Sequence, residues 1–287
     1  MPTASRARSG PFLIPARLLL LLFGLLTVGL AVFNLLHEFH AAEVDQTYLI
    51  IALVACGIWL AAIVVSFFGY RIAIFIAAAL AFVQFGVLDS SHFVSSAAAL
   101  STFVKHEGLA LATVDMALIP CCLMVVFGAA VAWTNPRGRY RRLDVVPLVV
   151  ASLAGAVLVI LQATDALHRS DLGSGTPEDG AFAAAVFASL WLAGGLWISS
   201  RRRTGALMIV VAGFAVAYSF VTLHLVPGGT TVAQIAAASG TGWAALAAAT
   251  AVLAAASLFV ALGILAGTVI RRRRPTPDEI GVRRRRA

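Results

Sequence analysis

Leu18 to His37 reads LLLLLFGLLTVGLAVFNLLH, with no charged residue before the closing histidine. At 1.5 Å per residue, about twenty residues in a helix cover about 30 Å, the depth of a bilayer's hydrocarbon core. The run is longer than the apolar stretch of a signal peptide, and it ends in Asn34-Leu-Leu-His37 rather than at a small-residue cleavage site. It therefore reads as a retained first membrane span. Working outward, eight segments meet the same length and composition, at roughly 14–37, 48–69, 72–92, 108–133, 145–167, 181–199, 205–224 and 243–270.

The bulk composition agrees. Of the 287 residues, 61% are hydrophobic and only 12% charged, where a soluble domain carries roughly a quarter, and the mean hydropathy is +0.95. The net charge of +8 is a statement about topology. Arginines crowd the segments at 1–17, 70–71, 134–144, 200–204 and 271–287, whereas only Lys105 and Arg169 lie in the alternate set. That is the positive-inside bias, and it excludes nucleic acid as the reason for the charge. Eight spans with both termini cytoplasmic satisfy every loop. The lipid bilayer is the partner this predicts, with other membrane subunits or an extracytoplasmic redox partner as further candidates. The lysine-poor, arginine- and alanine-rich composition fits a bacterial cytoplasmic membrane.

The histidines suggest a duplication. Asn34-Leu-Leu-His37, Asp89-Ser-Ser-His92, Asp165-Ala-Leu-His168 and Val221-Thr-Leu-His224 each close an apolar run on the same outer side. His37 and His168 lie 131 residues apart, His92 and His224 lie 132 apart, and Trp59 and Trp191 also lie 132 apart. The expected organisation is a cytoplasmic N-terminal segment (1–17), a first four-helix half (18–134), a basic linker (135–144), a second four-helix half (145–270) and a disordered basic tail (271–287). The loops 93–107 and 225–242 occupy matching places and are half apolar. Each is expected to lie in the interface as a helix or to cap the outer helix ends.

Candidate chemistry collects at that outer side. Asp or Asn three residues before His shares its helix face, and a carboxylate there can hold the second ring proton and fix the tautomer of a metal ligand. His37, His92, His168 and His224 are thus candidate ligands for haem b, with Asp89 and Asp165 orienting them. His224 departs from the pattern, having Val221 at the partner position. Asp89, His92, His106, Glu107 and Asp115 form a candidate copper or zinc site in the first half, and Asp165 with His168 a candidate in the second. Asp115 lies inside an apolar run, where a carboxylate costs several kcal/mol unless paired or wetted; it is also the candidate coupling group of a transporter. Cys56, Cys121 and Cys122 all fall within spans and read as small core residues.

The two-bundle layout with outer histidine pairs is similar in outline to the haem A synthases. Those carry Glu-x-x-His on even-numbered helices, whereas here the histidines follow Asp or Asn on odd ones. The grouping of Asp89, His92 and His106 is similar to that of the membrane copper monooxygenases, without their spacing or surrounding motif. Neither resemblance transfers a residue role. The pattern favours a metal- or haem-binding protein for redox or metallocentre handling, with a small-solute or cation transporter using Asp115 and a non-catalytic accessory subunit of a membrane complex as the alternatives.

Overall fold

The computed structural model describes residues 16–40, 45–88, 100–134, 146–169, 177–198, 202–225 and 230–273. Among them the chain forms ten helices: α1 (Ala16–His40), α2 (Gln46–Phe67), α3 (Arg71–Leu88), α4 (Leu100–Glu107), α5 (Leu109–Thr134), α6 (Val146–Arg169), α7 (Pro177–Trp197), α8 (Arg202–His224), α9 (Val232–Ser239) and α10 (Thr241–Arg273). All but α4 and α9 are long and apolar enough to cross a bilayer. The protein is an all-helical multi-pass membrane protein, as the apolar runs predict. Only helices satisfy every backbone group within one span, which is why such runs fold this way in lipid.

The eight spans pack as two rings of four. In the first, α1 packs on α2, α2 on α3, α3 on α5 and α5 back on α1; in the second, the same order runs through α6, α7, α8 and α10. α5 joins the rings by packing on α6 and α7 as well. It serves two cores at once. Ala112, Met116 and Ile119 face a core shared with Ile160, Leu167, Trp191 and Ile209. Cys122, Val125 and Ala129 face one shared with Leu20, Trp59, Ile63 and Ile74. Accordingly 61% of α5's apolar stretch is buried, against 22% for α2, α8 and α10. The outward side chains are large and apolar, among them Ile72, Phe75, Val252 and Phe259, each more than 60% exposed and hence lipid-facing.

Helices in lipid gain little from hydrophobic burial and associate through close packing of small residues. Two glycines show how. A Cβ on Gly24 would sit 2.7 Å from the Ile63 side chain, and one on Gly155 would sit 2.5 Å from the Trp191 ring. Each glycine thus lets a bulky side chain of the next helix reach the backbone of α1 or α6. Trp59 is 3% exposed, and its indole N–H donates to the Ala77 carbonyl at 3.1 Å, tying α2 to α3.

Two eight-residue helices, α4 and α9, stand before the spans α5 and α10. Both end at a glycine with positive φ, Gly108 (φ 89°) and Gly240 (φ 96°), which turns the chain directly into the following span. α9 opens with a capping box in which the Thr231 hydroxyl accepts from the Gln234 backbone and the Gln234 side chain accepts from Thr231 N–H. Ile235 is fully buried beside Ala244 and Ala247, anchoring α9 to α10. α4 is set deeper, packing on α5, α6 and α7, with Val104 buried in the larger core.

Candidate functional site

The C-terminal ends of α1 and α6 carry polar residues inside apolar helices. Sequence spacing pairs Asn34 with His37 and Asp165 with His168. In the structure the partner is one residue further on. Asn34 Nδ2 donates to Glu38 Oε1 at 2.9 Å, and Arg169 Nη2 lies 3.1 Å from Asp165 Oδ2. Positions i+3 and i+4 share a face, and the longer side chains at i+4 reach back where the imidazole does not. Both Asp165 and Arg169 are buried, with side chains 4% and 8% exposed, while His168 points outward.

The described histidines go separate ways. His37 Nε2 lies 2.9 Å from Glu107 Oε2, joining the end of α1 to the end of α4. His224 is buried at 6% exposure. Its Nδ1 faces the Thr230 carbonyl at 2.6 Å, so that nitrogen carries the proton. Its Nε2 lies 3.4 Å from Gln162 Nε2, and Phe220 packs edge-on at 5.0 Å. Both ring nitrogens are occupied, which explains how His224 is held without a carboxylate at position 221. His106 is exposed on α4. Asp89 and His92 lie outside the described residues. Among the described residues no three of His, Cys, Asp and Glu come together as metal ligands would.

Asp115 is 2% exposed. It lies six residues into α5, hence about 9 Å along the axis, in the helix that joins the two rings. Pro120 stands within the same helix, and the missing N–H leaves the Met116 carbonyl without its helical donor. A buried carboxylate and a released carbonyl therefore occur within about one turn of each other. Glu178, at the start of α7, is 8% exposed; it accepts from the Ser101 backbone N–H at 3.2 Å and from the Ser101 hydroxyl. This bond docks α4 onto the second ring, and nothing in the local sequence around Glu178 foretells it.

A groove of about 240 Å³ opens between the C-terminal ends of α1 and α3 and the N-terminal half of α2. Asn34, Glu38, Tyr48 and Gln84 line its polar part; Leu35, Ala52, Ala55, Cys56, Trp59 and Leu80 are among its apolar walls. The sequence pattern left Gln84, Tyr48 and Trp59 unassigned to any site. Gln84 is an uncharged polar residue in an otherwise apolar span, and that was the readable signal.

Compared with family models, with curated proteins and with solved structures, the chain matches none, so the site rests on its own geometry.

Proposed function

We propose that the protein is a transporter of small cationic solutes, built from two duplicated four-helix halves with both termini in the cytoplasm, and that Asp115 is its coupling carboxylate. The observation that carries this reading is Asp115 itself: an acid 2% exposed within the most enclosed span, at the seam between two rings of helices. Ionisable groups inside a membrane are expensive and mark ion or substrate paths. Transporters place them beside interrupted helical hydrogen bonding between repeats, and Pro120 supplies that interruption. The duplication is supported by helix starts. α6, α7, α8, α9 and α10 begin 130, 131, 131, 132 and 132 residues after α1, α2, α3, α4 and α5, and Gly108 and Gly240 are also 132 apart. The arginine-rich segments support the orientation. Haem or metal ligation by His37, His92, His168 and His224 gains no support from the described histidines, since no two share a partner.

The test is uptake of radiolabelled methylammonium into proteoliposomes under an inward-negative potential set with potassium and valinomycin. The wild-type protein is expected to accumulate the cation, Asp115→Asn to lose accumulation, and Asp115→Glu to retain part of it. Wild-type uptake no greater than that of empty liposomes, or equal uptake by Asp115→Asn, overturns the reading.

A further inference from the structure

We propose that one end of the first ring, between the starts of α1 and α3 and the end of α5, binds the phosphate of an anionic glycerophospholipid. Two arginines stand there. Arg17, at the start of α1, lays its guanidinium against the turn that joins α2 to α3. A Cβ on Gly69 would sit 2.4 Å from Arg17 Nη1, and Gly69 also has the positive φ of 92° on which this turn depends. The glycine both makes the turn and leaves the guanidinium its seat. Arg71 follows two residues later and holds its guanidinium 5.5 Å from the centroid of the Trp133 ring, at the end of α5. A guanidinium stacked by its face keeps its in-plane N–H donors for a second partner.

Among the described residues no anion answers this pair. Neither arginine forms an ion pair with any of them. α3 carries no acid. On or beside α1, α2 and α5 the described acids nearest this end are Glu38, Asp45 and Asp115, lying 21, 22 and 18 residues from Arg17, Phe67 and Trp133. Eighteen residues span about 27 Å of helix, well beyond the roughly 10 Å over which charges act at 0.1 M salt. The C-terminal dipole of α2 ends beside Arg17, but it amounts to about half a charge and leaves the pair positive.

The surroundings select a lipid over a free anion. Phe68, Tyr70, Ile72 and Trp133 are 68%, 65%, 77% and 46% exposed, so the arginines are rimmed by apolar and aromatic side chains. Tyrosine and tryptophan mark the headgroup layer of a bilayer. Ile72 and Phe75, three residues apart on one face of α3 and both exposed, give acyl chains a path away from the arginines. Phosphate oxygens match the planar fork of a guanidinium, whereas a choline headgroup would bring a third cation to the pair. On the duplication proposed above, the second half lacks the site: the residues 131 after Arg17 and 132 after Trp133 are Leu148 and Leu265.

This site is defined by binding and rests neither on Asp115 nor on transport. The experiment is native mass spectrometry of the delipidated full-length protein in detergent, titrated with dioleoyl phosphatidylglycerol or dioleoyl phosphatidylcholine. An arginine near a headgroup layer is worth about fivefold in affinity. The first phosphatidylglycerol should therefore bind at least about tenfold tighter than phosphatidylcholine, and Arg17→Gln/Arg71→Gln should weaken it by about twentyfold. Arg202→Gln/Arg203→Gln removes the same charge at the start of α8 and should leave that first binding within about twofold of wild type. Excess inorganic phosphate should not displace the lipid. Equal affinity for the two lipids, or equal weakening by the two double variants, means a diffuse basic surface and overturns the proposal. Displacement by inorganic phosphate means a site for the free anion and overturns it as well.

Discussion

Removing the Asp165 carboxylate while leaving Arg169 in place should destabilise the protein sharply. The two side chains are 4% and 8% exposed with 3.1 Å between Oδ2 and Nη2, so neither charge has bulk water as an alternative partner. Deleting one member of a buried pair costs about 3–5 kcal/mol. At roughly 2–4 °C per kcal/mol for a chain of a few hundred residues, Asp165→Ala should lower Tm by roughly 6–20 °C. Asp165→Asn should behave similarly, because the lost quantity is charge. The double variant Asp165→Ala/Arg169→Leu should recover most of the loss, since replacing both ions by apolar groups is often near neutral. Cys121 and Cys122 are buried, which makes a thiol-reactive fluorophore a direct reporter of unfolding on heating. Asp165→Ala melting within about 2 °C of wild type, or a double variant as unstable as the single, would refute a desolvated and coupled pair.

Two further substitutions probe the packing. Gly155→Ala places a methyl group 2.5 Å from Trp191, a ring with no solvent exposure, and should cost about 1–3 kcal/mol by overpacking. Adding Trp191→Phe should return part of that loss in the same melting assay, whereas two independent, additive losses would show that the contact is not the cause. Gly240→Ala meets nothing within 4 Å, yet φ 96° and ψ 162° belong to a region nearly reserved for glycine. It should cost about 1–3 kcal/mol from backbone strain alone, and an unchanged Tm would contradict that conformation.

Much of the architecture is legible in the residues. Leu18–Leu36 and the seven runs like it can only be spans, and α4 and α9 lie within the two half-apolar loops that pattern singles out. The cap of α9 is written locally as Thr231-x-x-Gln234. Asn34 and Asp165 stand out as polar residues in apolar helices, although spacing points to His37 and His168 where the structure chooses Glu38 and Arg169. Both choices lie on the same helix face, and side-chain length with local burial decides between them. Ser101 with Glu178, and Asn34 with Gln84, were not legible, because their members are 77 and 50 residues apart and belong to different helices.

The sequence by itself determined the solvent of each segment, the number of spans and the positions of the costly polar groups. These follow from hydropathy and charge summed along consecutive residues, and no contact is needed to evaluate them. Only the tertiary structure decided which polar groups meet. α5 serves two cores, α4 is pinned by Glu178, and Asn34 turns to Glu38. In lipid, where apolar surface does not drive helices together, such choices follow from which small residues let two helices approach and which donor then comes within reach.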